Sequence, residues 1–138
     1  MRILECSSAG DKRFSAFYAK VEVNGVLDSI ENHYQSVKRN LFDKKCKKGE
    51  KVEYIVFNGK KLSPKYLTPY YKLLWTKYLD KNPKLVEYAS TFDKFSDKFR
   101  GKCINCQADV IELYVKNGRH VLLNDKDVKE FTSLIKNK

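Results

Sequence analysis

Several things are scarce in this chain of 138 residues, and each scarcity narrows what it does. No apolar run approaches the roughly 20 residues that a membrane-crossing helix needs. The N-terminus, Met1-Arg2-Ile3-Leu4-Glu5-Cys6, has no apolar core of the kind a secretory signal carries, so a cytoplasmic protein with reduced thiols is expected. Histidine is rare, with only His33 and His120. Of four cysteines, Cys103 and Cys106 make one CxxC, while Cys6 and Cys46 have no ligand-like spacing. A structural zinc takes four ligands, usually as two such pairs, so no metal is expected. A thioredoxin-like reading of the CxxC needs a strand and a helix around it in a βαβ setting. The simpler reading is small apolar residues at a helix start.

Acidic residues are also short. There are 17 Asp and Glu against 28 Lys and Arg, a formal charge of +11. Such a surplus implies an anionic partner: nucleic acid, nucleotide phosphate or membrane headgroups. A lysine-rich solvated surface is the bland alternative, and the nine tyrosines favour the functional reading. Hydrophobic residues at 42% and aromatics at 13% are too many for a disordered chain. No internal repeat or composition break divides the chain. One domain over residues 1–138 is expected.

Local signals suggest an α+β fold, compact and mostly helical, with short antiparallel strands. Residues 2–6 read as a strand. Alternation from Phe14 to Val23 ends at Asn24-Gly25, a turn dipeptide, and Val52–Phe57 reads as a strand closed by Asn58-Gly59. The three prolines each follow a capping-type residue: Ser63-Pro64, Thr68-Pro69 and Asn82-Pro83. The second pair opens a helix with Tyr70, Leu73, Leu74, Tyr78 and Leu79 in helical period, and the third opens a helix to about Ser90. Residues 92–101 have no clean period and read as a loop of the kind that carries function. Asn105 would cap a helix through Asn117 ended by Gly118, and a last helix would run from Asp125 to Ile135.

The first helix carries the most chemistry. With Asp28 or Ser29 as cap, it places Glu31, Gln35 and Lys38 at i, i+4 and i+7, on one face. A carboxylate, an amide and an amine would then share one space. The competing reading makes Glu31 the second half of a capping box with Asp28. The competing reading of Lys38 is a helix-surface lysine, the commonest fate of one among many. His33 is expected to be packed or exposed. Residues 43–51 hold five lysines, read either as a solvated loop or as a phosphate-facing edge.

These pieces, in their order and spacing over roughly residues 6–117, resemble the NADAR family. Phe14-Ser15-Ala16-Phe17 is similar to its Phe-Ser-Asn-Phe, and Asn24-Gly25 to its Asp-Gly turn. Glu31, Gln35 and Lys38 fit Glu-His-x-x-Gln-x-x-Lys. Lys77-Tyr78 and Asn82-Pro83-Lys84-Leu85 resemble Lys-Phe and Asn-Pro-Glu-Leu. Asp97-Lys98-Phe99-Arg100-Gly101 falls on Asp-x-x-Trp-Gly, and Asn105 on Gly-x-Asn-x-Leu-Gly. The sequence departs from the pattern at Asn32 for His, Arg100 for Trp, and Gln107-Ala108 for Leu-Gly.

The resemblance implies an N-glycosidase that needs no cofactor. Such enzymes cleave a base–ribose bond in riboflavin-pathway intermediates, or remove ADP-ribose from modified guanine in nucleic acid. The latter reverses DarT-type toxins and serves as a bacteriophage counter-defence. Breaking an N-glycosidic bond builds positive charge on the sugar, which a carboxylate stabilises while a second group protonates the departing nitrogen. Glu31 and Asp97 are the candidate pair, with the choice of acid open. Lys38 offers a Schiff-base route. Phe14, Ser15, Gln35, Phe99, Arg100, Gly101 and Asn105 are the candidate substrate contacts. Lys44, Lys45, Lys47 and Lys48 are candidates to hold a phosphate backbone. The expected partner is ADP-ribosylated nucleic acid or an ADP-ribose-type nucleotide, with no membrane. A non-catalytic binder of such a nucleotide, or of nucleic acid, is the rival class.

Overall fold

A computed structural model describes residues 1–99 and 105–136. In chain order these form β1 (Ile3–Glu5), β2 (Lys20–Val23), β3 (Val26–Ser29), α1 (Ile30–Ser36), β4 (Lys38–Arg39), β5 (Tyr54–Phe57), β6 (Lys60–Leu62), α2 (Leu67–Asp80), α3 (Pro83–Ala89), β7 (Lys94–Ser96), α4 (Gln107–Asn117), α5 (Arg119–Leu123) and α6 (Lys126–Lys136). Short 3-10 turns precede β2 at Lys12–Phe14 and α2 at Pro64–Tyr66. The architecture is α+β. Among the described residues no helix is long and apolar enough to cross a membrane.

Both Asn-Gly dipeptides make hairpins. Asn24 and Gly25 have φ of 52° and 83°, and Asn58 and Gly59 have 52° and 77°. Positive φ at both central residues is the type I′ turn, whose twist matches that of the flanking strands. The first closes β2 on β3, with Val23 opposite Val26; the second closes β5 on β6, with Phe57 opposite Lys60. The two tips are joined, since the Asn24 amide donates to Asn58 Oδ1 at 2.7 Å. β3 was not anticipated as a strand, because residues 26–29 are too few to display a period.

α1 begins at Ser29, whose hydroxyl accepts the Asn32 N–H at 3.0 Å. Glu31 is therefore the second helical residue, one short of the capping-box position, and that reading of it falls. Asn32 holds the position instead, its amide donating to Asp28 Oδ1 at 2.9 Å. The helix is also shorter than its pattern: it ends at Ser36, and Lys38 opens β4.

α2 is the central pillar. Leu74, Trp75 and Leu79 are almost wholly buried, and α1, α4, α5 and α6 all pack against it. It starts ahead of Thr68-Pro69. Ser63 caps the Pro64 turn, which runs straight into the helix and leaves Pro69 in the first turn, where a missing N–H costs nothing. Phe57, Tyr66, Tyr70 and Phe131 form an aromatic knot with ring centroids 5.3–5.8 Å apart, tying β5 and α2 to α6. Asp125 caps α6 through the N–H groups of Asp127 and Val128. Gly118 ends α4 at φ 88°, where a Cβ would meet the His120 ring at 3.2 Å. The short α5 that follows was not anticipated.

Residues 92–101 are not wholly irregular. They contain β7, which pairs in parallel with β1, Leu4 opposite Phe95. This sheet departs from the antiparallel expectation. Its pairing spans 91 residues, and three-residue strands with one buried side chain each carry no readable alternation.

Phe131 is fully buried at the centre of the knot. Phe131→Ala is expected to cost about 3–5 kcal/mol, read from urea unfolding as a lower midpoint with an unchanged slope.

Candidate functional site

The site grows from one tight turn. The Ser15 carbonyl accepts the N–H groups of Tyr18 and Ala19 at 3.0 and 2.8 Å. The curl leaves both polar groups of Ala16 facing other elements. Its carbonyl accepts the Glu31 N–H at 2.9 Å, so the first turn of α1 is anchored to it. Its N–H donates to Gln107 Oε1 at 2.7 Å, at the start of α4. The buried Gln107 amide then donates to Asp97 Oδ2 at 2.8 Å. The other Asp97 oxygen accepts the Phe99 N–H at 2.9 Å. Two carboxylate residues 66 positions apart in the chain, Glu31 and Asp97, are thus linked through Ala16 and Gln107.

Glu5 fastens the far side of the Asp97 segment. Its carboxylate accepts the Ser96 hydroxyl at 2.7 Å, the Lys98 N–H at 2.9 Å and the Ser7 N–H at 3.2 Å. Partial burial pushes its pKa up, but the hydrogen bonds from Ser7, Ser96 and Lys98 outweigh that and hold it at about 2.

On α1, Gln35 donates to Glu31 Oε2 at 2.7 Å, the contact expected of residues four apart. Lys38 reaches the same neighbourhood by another route. From the start of β4 its ammonium lies 4.4 Å from the centroid of the Tyr34 ring, a cation–π contact. Tyr34 also accepts the Asn105 amide at its hydroxyl, 2.6 Å away, and meets the Tyr71 ring edge-on at 5.1 Å. Burial, joined by the charge of nearby Glu31, pushes the Tyr71 hydroxyl well above its ordinary pKa. It is a neutral hydroxyl under any physiological condition.

Glu31, Gln35, Asp97 and Phe99 thus fall on one chain of hydrogen bonds, while Lys38 and Asn105 meet at Tyr34 on the same helix as Glu31. Other expectations need correction. Phe14 is fully buried, its ring against Tyr88 at 6.3 Å, and Ser15 is buried beneath the turn it forms. Both support the site from behind and present no side chain to a ligand. Phe17, three residues after Phe14, is instead 60% exposed. The 3-10 turn at Lys12–Phe14 and the curl after it replace the expected strand and decide which rings face in. Asn105 does not cap α4, because Cys106 occupies that position, and its amide is free for Tyr34. His33 is packed, its Nε2 2.8 Å from the Val21 carbonyl. Arg100, Gly101 and Cys103 lie outside the described residues. Lys44, Lys45, Lys47 and Lys48 are exposed on the loop after β4.

Sequence reasoning missed Gln107, Tyr34 and Tyr71. Tyr34 shares the Glu31–Lys38 face by spacing, whereas Gln107 was visible only as a departure from a Leu-Gly pattern. Among the described residues no group of three or more His, Cys, Asp and Glu side chains could hold a metal ion. A groove of about 340 Å³ runs along the opposite side of α1, lined by Asn32, His33, Arg39 and Tyr70, and includes neither Glu31 nor Asp97.

A family model described as DarT1-associated NADAR antitoxin matches the chain along residues 1–138. No curated protein matches it closely.

Two outcomes follow from this geometry. Gln107→Ala strands the Ala16 N–H and one Asp97 oxygen, and is expected to cost about 1–3 kcal/mol in chemical denaturation. Glu5 titrates at about 2 when folded, against an ordinary value of 4.5. Its contribution is present in full above pH 4.5 and lost as pH falls toward 2, so the stability advantage over Glu5→Gln should shrink across that window. Denaturation curves of both proteins through the acid range measure it.

Proposed function

The chain belongs to the family of DarT1-associated NADAR antitoxins, and from that premise we propose that it is an N-glycosidase removing ADP-ribose from modified guanine in DNA or RNA. The observation that carries the reading is the chain of hydrogen bonds through Ala16 and Gln107, which ties the backbone at Glu31 and the carboxylate of Asp97 to one turn. N-Glycoside cleavage asks for two groups, one to stabilise positive charge on the sugar and one to manage protons.

Their surroundings divide the work. Both oxygens of Asp97 accept from fixed N–H donors, which suits a stationary negative charge beneath the developing oxocarbenium ion. Glu31 spends one oxygen on Gln35, leaving the other to serve the reaction. In this scheme the bond between C1′ and the guanine nitrogen breaks with its electron pair going to the base. Glu31 supplies the proton to that leaving group. Water then adds to C1′, and its proton returns to Glu31. Gln35 and Asn105 supply amide groups for sugar hydroxyls. Lys38, poised on Tyr34, holds a phosphate, or its deprotonated amine condenses with the ring-opened sugar aldehyde, expelling water to give an imine that water later hydrolyses.

The substrate class follows from charge. A small ribosylated metabolite requires one phosphate pocket, whereas a formal charge of +11 and four exposed lysines in one loop suit a polyanion. One observation favours a second reading: Asp97 is so committed to fixing its own segment that a protein binding ADP-ribose-type nucleotides without cleaving them would look the same.

An oligonucleotide carrying ADP-ribosylated guanine, followed by mass spectrometry, separates the two. Wild type should release ADP-ribose, and Glu31→Gln and Asp97→Asn should each slow release by about a hundredfold or more. Binding with no release by any form would establish the sequestering role. Borohydride should trap an adduct with wild type and none with Lys38→Ala if the imine route operates.

A further inference from the structure

The loop after β4 exposes something that lysines alone do not explain. Leu41 and Phe42 are adjacent, and they are 76% and 75% exposed. Among the described residues no ring contact involves Phe42. A floppy loop would fold such a pair back onto the protein. This one is held out.

The restraint comes from Asn40, which is buried while its neighbours are not. Its Oδ1 accepts the N–H groups of Phe42 and Lys44 at 2.9 and 3.0 Å, and its amide donates to Glu50 Oε2 at 3.0 Å. Its backbone N–H donates to the Lys44 carbonyl at 2.8 Å, and Asp43 takes a left-handed φ of 63° to close the turn. A bridge between Arg39 and Lys45 continues β4 beneath it. Glu50 in turn accepts the Lys47 N–H at 2.9 Å, fixing the next bend. The apolar pair therefore stands at the tip of a rigid projection.

Charge surrounds that tip. Residues 40–51 carry five lysines and two acids, and Glu50 is committed to Asn40 and Lys47. Lys44, Lys45, Lys47 and Lys48 make no ion pair among the described residues. The projection also starts at the site. Leu41 lies three positions after Lys38, at most roughly 11 Å of backbone, or about three base steps.

We propose that Leu41 and Phe42 form a wedge that inserts between bases of the nucleic-acid substrate, a few steps from the modified guanine, while Lys44, Lys45, Lys47 and Lys48 hold the flanking phosphates. Apolar side chains on a basic projection are the usual means of unstacking a base step, and a reacting base must leave its stack to enter a pocket. Phe42 supplies a flat ring for stacking; Leu41 fills the space beside it. A lipid surface would also receive apolar and cationic groups, but the fixed turn and its proximity to Lys38 favour a ligand whose reacting part enters the site. This inference rests on the nucleic-acid substrate proposed above.

The test uses the full chain and an unmodified single strand of roughly 12 nucleotides containing 2-aminopurine, within the usual site size of single-strand binders. Wild type should bind and change the probe's fluorescence, which reports stacking. Leu41→Ser with Phe42→Ser, a surface change that circular dichroism can show to be folded, should weaken binding by about tenfold and abolish the fluorescence change. It should leave the slope of log K against log salt as it was. Lys44→Ala with Lys45→Ala should instead lower that slope by about 0.7 per lysine and keep the fluorescence change. Equal binding and fluorescence in wild type and the serine variant would overturn the wedge. So would loss of binding to phosphatidylserine vesicles in that variant with oligonucleotide binding untouched. ADP-ribose release from modified oligonucleotide, measured on the same samples, separates the failures. Release by wild type with an inert tip sinks the wedge alone, whereas neither binding nor release sinks both readings.

Discussion

The Gln107 side chain is the contact on which the site depends. A primary amide is the uncharged group that accepts one hydrogen bond and donates others from a single planar unit. At the start of α4 it faces a backbone N–H on one side and a carboxylate on the other. Leucine at this position would satisfy neither. Glutamate would accept from Ala16 but oppose Asp97 with a like charge. Because the amide is buried, each partner has exchanged water for it, and the arrangement tolerates little slack. Through this one group the turn at Ser15–Ala19, the start of α4 and the segment after β7 adopt a common geometry. Since the Ala16 carbonyl also anchors the first turn of α1, the position of Glu31 is set by the same turn.

A second carboxylate does comparable work out of the reaction's reach. Glu5 accepts the Ser96 hydroxyl and the Lys98 N–H on either side of Asp97, and the Ser7 N–H from its own segment. Asp97 is consequently braced from both ends, by β1 behind it and by Gln107 ahead of it. A carboxylate outside regular structure ordinarily loses precision to backbone motion. Asp97 directly follows β7 and both of its oxygens are held, so the group behaves as if it stood on a regular element.

What the sequence revealed was local. Asn-Gly turns, the prolines behind Ser63 and Asn82 and the periodic faces of α2, α4 and α6 depend on neighbours within a few positions, and these were found close to where they were expected. Glu31 and Gln35 were legible for the same reason, their contact being a four-residue spacing on one helix. The parallel pairing of β1 with β7 was not, because its partners are 91 residues apart and their strands too short to alternate. The burial of Phe14 was not legible, because a 3-10 turn interrupts the alternation that its neighbours imply. Gln107 was unreadable on different grounds. Its importance lies in two partners, Ala16 and Asp97, that only the tertiary fold supplies. Lys38 was placed near the site by a helical pattern it does not obey; the chain leaves α1 at Ser36, yet the side chain returns to Tyr34.

The charge distribution is intelligible against the same frame. Lysines crowded within one loop repel each other, and an isolated protein gains nothing from keeping them together or from holding two large apolar side chains in water beside them. Stability alone would disperse the first and bury the second. Instead, Asn40 and Glu50 devote their hydrogen bonds to maintaining that display, a few residues beyond Lys38. A scaffold spent on an unfavourable surface makes sense when the missing partner supplies both phosphates and flat apolar faces. On the proposed reading the site and the loop serve one substrate, the first its sugar and the second the strand that carries it.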